Sequence, residues 1–180
     1  MRVFIAIEFD DIVKRYLRDV QDVVKHSTLK GNFTYYGNFH LTIKYIGTIY
    51  NGEYEDICQV VDDICQNTSP FSIKVGDIGF FNKKNTNIVW VGITKGKDYI
   101  KRLFQVTERE STESGFEPEL RKYRPHITIG KKVEFGRGGY QNGLPYYNEE
   151  IKVTKLTLFE SSRIDGVLTY TPLYTQTLGG

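Results

Sequence analysis

Two of the three histidines in this chain sit in near-copies of one tetrapeptide, His40-Leu41-Thr42-Ile43 and His126-Ile127-Thr128-Ile129, about half the chain apart. An imidazole with a pKa of about 6.5 exchanges its proton close to neutrality, so a pair of them supplies a general base and a general acid to one reaction. A threonine hydroxyl beside each histidine adds a donor for the oxygens of a phosphate. Two proton carriers with two donors are what metal-free chemistry at a phosphodiester requires. His40 and His126 are therefore the candidate catalytic pair, and Thr42 and Thr128 the candidate substrate-binding pair.

Each tetrapeptide reads as a β-strand, because Leu, Ile and Thr favour the pleated backbone and polar and apolar residues alternate. Histidine and threonine then share one face of their strand. Either copy alone is explained by an ordinary half-buried strand; the repetition is what singles them out. Arg124 has the parity of His126 and Thr128 and is a candidate phosphate contact, although Pro125 between them can bend the strand. Lys44 has the parity of His40 and Thr42 and reads as a solvated strand end. Tyr36, Tyr45 and Tyr123 could stack a base, though packing is the commoner use of such residues. His26, alone near a helix end, reads as structural or solvated.

Around these strands the pattern predicts a first strand over Met1–Phe9 and a helix capped by Asp10 or Asp11 and running to about His26. The apolar stripe of that helix is expected at Ile12, Tyr16, Val20, Val23 and Val24. A loop leads to the strand Phe39–Gly47, followed by a helix over about Glu53–Gln66 with Ile57, Val61, Ile64 and Cys65 inward. Strands Phe71–Phe81 and Asn87–Thr94 follow, joined by the turn-forming segment Asn82–Asn85, and a third helix covers about Lys97–Ser114 with Ile100, Leu103, Phe104 and Thr107 at helical spacing. The glycine-rich stretch Gly136–Gly143 excludes regular structure. Strands Ile151–Ser161 and Leu168–Leu178 flank the hairpin signal Asp165-Gly166. About eight strands with three helices and several hairpins predict an α+β fold, with no linker dividing the chain.

At 180 residues, with 39% hydrophobic and 26% charged residues, the chain has the composition of a globular protein with a real core. A net charge of only +2 excludes a polycation that coats nucleic acid indiscriminately, so an anionic ligand must be attracted locally. The strand-like amino terminus meets Asp10 and Asp11 too soon for a secretory signal, and no apolar run approaches a membrane span, so a cytoplasmic location is expected. Cys58 and Cys65 share a helix face but lie about 10 Å apart by helical rise, too far to bridge, and read as reduced thiols.

With both tetrapeptides on strands, the chain resembles the two-histidine (2H) phosphoesterases, and most closely the LigT-like RNA 2',3'-cyclic phosphodiesterases, also called 2'-5' RNA ligases. The resemblance spans nearly the full length. It includes Arg2–Ile7, the block Phe39–Gly47, Val89–Ile93, Gly115–Glu119, Tyr123–Ile129 and Leu158–Ser161. It implies one domain over residues 1–180, built as a bilobal, pseudo-two-fold α+β fold whose antiparallel sheets line a central cleft with helices outside, each lobe contributing one motif strand. It further implies hydrolysis of 2',3'-cyclic phosphate ends of RNA or nucleotides without metal or cofactor, usually leaving a 2'-phosphate, and possible reverse 2'-5' ligation. In line with it, His126 is expected as base and His40 as acid; the opposite assignment is open as well, and the roles would swap in the reverse direction. A monomer is expected. Two departures stand out: Gly130-Lys131 follows the second motif where many relatives carry Ala-Arg, and Phe33–Tyr36 stands where relatives often carry a Trp.

Other chemistries fit less well. ATP-dependent nucleotidyl transfer needs a lysine nucleophile, and Arg163 in Arg163-Ile164-Asp165-Gly166 cannot serve because it stays protonated. A zinc enzyme wants three or four ligands at recognisable spacing, and neither HExxH nor CxxC occurs. A non-catalytic RNA-binding sheet would present paired aromatics where this one presents His and Thr.

Overall fold

The computed structural model describes residues 1–139 and 143–179. Their order is β1 (Arg2–Glu8), α1 (Asp11–His26), β2 (Thr28–Phe33), a short 3-10 turn (Tyr36–Asn38), β3 (His40–Thr48), α2 (Glu53–Gln66), β4 (Phe71–Lys83), β5 (Thr86–Lys95), α3 (Lys97–Glu113), β6 (Ile127–Phe135), β7 (Ile151–Val153), β8 (Lys155–Ile164) and β9 (Val167–Thr177). The strands make two antiparallel sheets, ordered β3-β1-β8-β9 and β2-β6-β5-β4-β7. The α+β arrangement is the expected one, and each sheet holds one motif strand.

Period-two alternation decides which face of each strand is buried. Val3, Ile5 and Ile7 of β1, Leu41 and Ile43 of β3, and Ile127 and Ile129 of β6 enter one core that runs through both sheets. Each such side chain, fully buried, stabilises by roughly 1.5–3 kcal/mol. Phe4 and Ala6 take the opposite face of β1 with Phe159, and His40 lies against Phe4 on that face. A one-residue slip in β3 would bury His40 and Thr42 and expose Leu41 and Ile43, so core burial fixes where the polar pair points.

The helices back these strands. α1 packs against β2 and β6, α2 against β8 and β9, and α3 against β3 and α2. Asp10 caps α1 by accepting from the Val13 amide at 3.0 Å. The stripe of α1 is not the expected one: the residues buried are Val13, Leu17, Val20, Gln21 and Val24, while Ile12 is 62% exposed. The row through Leu17 reaches the core because Gln21, which breaks its apolar pattern, is satisfied there. Its Nε2 donates to the carbonyls of Thr34 (2.8 Å) and Ile129 (2.9 Å), tying α1 to the second motif strand. α2 buries Ile57, Val61, Ile64 and Cys65 as expected, and α3 buries Ile100, Leu103 and Thr107 of its expected row, with Phe104 half-buried.

Two strands depart from expectation. β2 lies where a loop was expected; it is an edge strand, irregularly paired with β6, and its Thr-Leu-Lys-Gly-Asn-Phe sequence has little alternation. The strand expected over Ile151–Ser161 breaks at Thr154. β7 pairs with β4 in one sheet and β8 with β1 and β9 in the other, so a single apolar run crosses between sheets. The Asp165-Gly166 hairpin forms with positive φ at both residues, as a two-residue turn of this kind requires. Of the stretch 136–143, Gly136–Gly139 make a turn, and residues 140–142 lie outside the described residues. Cys58 and Cys65 are unbridged. Among the described residues no helix is long and apolar enough to cross a membrane.

Candidate active site

β3 and the start of β6 face each other across a cleft of about 630 Å³. His40, Thr42, Arg124, His126 and Thr128 all line it. His40 opens β3, and His126 falls one residue before β6, after Pro125, whose missing amide cannot extend the ladder.

The two imidazoles are held alike. Nδ1 of His40 donates to the carbonyl of Asn38, and Nδ1 of His126 to the carbonyl of Arg124, each two residues upstream and each at 2.6 Å. That pairing selects the tautomer whose Nε2 is free to exchange a proton. Nε2 of His40 accepts from the Thr42 hydroxyl at 2.8 Å. Asn38 is itself fixed: its Nδ2 donates to the Leu168 carbonyl (2.8 Å) and its Oδ1 accepts from the Tyr170 amide (3.1 Å), both on β9.

Aromatic rings set the planes of both imidazoles. Phe4 and Tyr170 each have ring centroids 5.0 Å from His40, Tyr170 edge-on. Phe81 stands edge-on to His126 at 4.9 Å, and Trp90 lies 6.2 Å away. Trp90 is the cross-strand partner of Thr128, and its indole covers Gly79, where a Cβ would come within 2.0 Å of the ring. Only glycine allows that stacking.

Burial in these aromatic settings disfavours the charged imidazoles. It pushes His40 down to about 4, the Asn38 carbonyl pulling up against it and the charges of Lys131, His126 and Lys14 adding to the depression. Burial lowers His126 as well, opposed by the Arg124 carbonyl and reinforced by Lys131. Both rings are thus neutral at pH 7 in the unliganded protein, and each is depressed by the same lysine.

The rim of the cleft is cationic. Lys83, Arg121, Lys122, Arg124 and Lys131 line it, and Glu119, the one carboxylate on it among the described residues, is neutralised by Arg121, which holds it down to about 2. A chain of net charge +2 thereby concentrates positive charge where an anion would enter. The Arg124 guanidinium lies 6.0 Å over the Phe81 ring, so it stands beside the ring that abuts His126. Among the described residues no group of three or more His, Cys, Asp or Glu side chains is placed to hold a metal ion.

Sequence reasoning misread one residue here and passed over others. Lys44 is not a solvated strand end: its side chain is fully buried, 2.5 Å from Oε1 of Glu108 on α3. Parity did put it on the cleft face, and the partner that keeps it from solvent comes from a distant helix. Lys131 has the wrong parity for the cleft. A bulge brings it there, the four residues of β6 from Gly130 to Val133 standing opposite the three of β5 from Asn87 to Val89, with Lys132 at φ +53°. Asn38 carries no signal of its own beyond its place two residues before His40, and Trp90 none beyond its place in the Val89–Ile93 block of the resemblance. His26, bonded through Nδ1 to the Asp22 carbonyl, is exposed at the end of α1, away from the cleft.

Two antiparallel sheets that present paired His-x-Thr strands across one cationic cleft define the two-histidine phosphoesterase class. The chain belongs to the 2'-5' RNA ligase superfamily, whose family model matches residues 15–161. The RNA 2',3'-cyclic phosphodiesterase of Methanothermobacter thermautotrophicus is 30% identical to it over 132 residues, 73% of this chain and 71% of that protein. Among solved structures, Escherichia coli LigT complexed with 3'-AMP superposes with a TM-score of 0.79 at 22% identity, covering 98% of this chain and 97% of that one. TT0787 of Thermus thermophilus superposes with a TM-score of 0.82 at 19% identity, covering 100% and 99%. These two share the fold.

Proposed function

We propose that the chain is an RNA 2',3'-cyclic phosphodiesterase that opens the cyclic phosphate at the end of an RNA or nucleotide to a 2'-phosphate, without metal or cofactor, and that forms a 2'-5' linkage when a 5'-hydroxyl takes the place of water at the same phosphorus. The observation that carries this reading is the matched pair of imidazoles, each locked through Nδ1 to a backbone carbonyl two residues upstream and each lining one cleft. Relatives named RNA 2',3'-cyclic phosphodiesterase support the reaction.

The reaction follows from this geometry. His126, neutral at rest, takes a proton from water through Nε2 as the water oxygen attacks phosphorus. The bond from phosphorus to the ribose 3'-oxygen breaks, and the protonated His40 delivers its proton to that oxygen. The product carries a 2'-phosphate, and solvent exchange returns the proton from His126 and recharges His40. His40 must therefore gain a proton when substrate binds, and the phosphate anion supplies the reason by stabilising imidazolium. Thr42, which donates to His40 in the free protein, turns its hydroxyl to a non-bridging oxygen, and Thr128 donates to the other, each charged bond contributing about 1.5–3 kcal/mol. Arg124 adds charge at the rim.

The reading takes the chain as one domain, a monomer in the cytoplasm. Unbridged cysteines fit a reducing compartment, and burial pushes the Cys65 thiol up to about 12, far from reactivity. The test is incubation with the four nucleoside 2',3'-cyclic phosphates in EDTA and without ATP. Nucleoside 2'-phosphates are the expected products. Binding without any product would make the chain a nucleotide-binding member of its family, and turnover restored only by a divalent metal would overturn the metal-free scheme.

A further inference from the structure

β3 is the edge strand of its sheet, and the segment that carries Arg121, Arg124 and His126 to the cleft is irregular from Phe116 to His126. Nothing in the strand ladders therefore fixes this segment to β3, although the reaction needs His40 and His126 at one phosphorus. The side chains supply that link. The Tyr123 hydroxyl donates to the main-chain carbonyl of Thr42 at 2.9 Å, joining the motif threonine of one strand to a residue three positions before the histidine of the other. Its ring is stacked on Phe104 of α3, with centroids 4.2 Å apart and planes 3° from parallel. One turn further along α3, Glu108 pairs through Oε1 with the buried Lys44 of β3 and accepts the Glu119 amide on Oε2 at 3.0 Å.

From these contacts we infer that Tyr123, with the Lys44–Glu108 pair behind it, is a positioning device that sets the spacing of the two histidines across the cleft. The buried pair is unexplained by the hydrolysis itself. A lysine and a glutamate withdrawn from water gain little stability over apolar residues of the same size, but they impose one arrangement on the groups that meet them. Here Lys44 extends from the strand that carries His40 and Thr42, and Glu108 reaches the segment that leads to His126. Tyr123 sits between, bonded to the peptide of Thr42, and burial pushes its phenol pKa up, so it stays a neutral donor at any working pH. Tyr123 thus acts on the reaction only through His126 and Thr42, and a misplacement of either costs rate far more than binding.

The inference rests on the phosphodiesterase reading, and one set of measurements separates the two. Tyr123→Phe keeps the stack on Phe104 and removes only the hydroxyl. With nucleoside 2',3'-cyclic phosphate its kcat should fall about tenfold while KM stays within about twofold. Lys44→Met/Glu108→Gln removes the ion pair, keeps an acceptor for the Glu119 amide, and should give the same split. In the NMR spectrum of the substrate-free protein, which has only three histidines, Tyr123→Phe should shift the His126 imidazole resonances and leave those of His26 in place. A Tyr123→Phe protein with wild-type kcat, or with unmoved His126 resonances, overturns the positioning role. A wild-type protein without turnover overturns the phosphodiesterase reading instead, and the NMR comparison still decides the positioning.

Discussion

The hydroxyl of Thr42 lies 2.8 Å from Nε2 of His40, the nitrogen that exchanges the proton in the proposed reaction. No equivalent bond joins Thr128 to His126 among the described contacts, so the two halves of an otherwise matched site rest in different states. Substrate must displace the Thr42 hydroxyl from the ring. Thr42→Val should therefore lose a phosphate donor and a resting contact together, lowering kcat/KM by about ten- to a hundredfold. Thr42→Ser, which keeps the hydroxyl, should restore most of it; steady-state kinetics on both variants checks this.

The pH dependence follows from the two depressed imidazoles. Rate requires one ring neutral and the other charged, so kcat/KM should trace a bell whose limbs are the pKa values of the free protein. Both are lowered by burial, His40 to about 4, and the bell should lie on the acid side of ordinary histidine. In the bound state the phosphate anion favours imidazolium, so the kcat profile should sit at higher pH than the kcat/KM profile. Flat rates from about pH 5 to 9 would remove the paired acid-base scheme.

The same burial couples His40 to stability. In the unfolded chain its pKa is the ordinary 6.5 and in the fold about 4, so as pH falls the unfolded chain takes the proton first. The stability contributed by the neutral ring is complete above about pH 6.5 and is lost as pH falls towards 4, roughly 3 kcal/mol in all. Urea unfolding at pH 7 and pH 4.5 should show His40→Gln losing less stability between the two than wild type.

Lys131 depresses both histidines and lines the cleft. Lys131→Ala should raise both pKa values, move the kcat/KM bell to higher pH, and increase KM several-fold. If Lys131 meets a phosphate of single-stranded RNA, the slope of log affinity against log salt should become shallower by about 0.7. An unchanged slope would confine Lys131 to tuning the imidazoles.

Much of this was legible in the chain because alternation is a strong signal. The two motif strands, the inward faces of α2 and α3, and the Asp165-Gly166 hairpin follow from local pattern and turn chemistry. What was illegible depended on partners distant in sequence. Leu17 and Gln21 are buried on α1 because the Thr34 and Ile129 carbonyls meet Gln21, and Lys44 is buried because Glu108 reaches it. β2 forms because β6 offers a ladder, and the chain breaks at Thr154 because two different sheets claim its two sides. Lys131 reaches the cleft only through a bulge, which a parity rule misplaces by one residue.

The central claim is that His40 and His126 act as one unit on a phosphodiester. Its most direct test is single-turnover hydrolysis of a nucleoside 2',3'-cyclic phosphate by His40→Ala, His126→Ala and the double variant, alongside nucleotide binding by each. Each single variant should lose roughly a hundredfold or more in rate while still binding nucleotide, and the double variant should be little worse than either, as groups that act together are not additive. A single variant that keeps a rate within about fivefold of wild type would contradict the pairing.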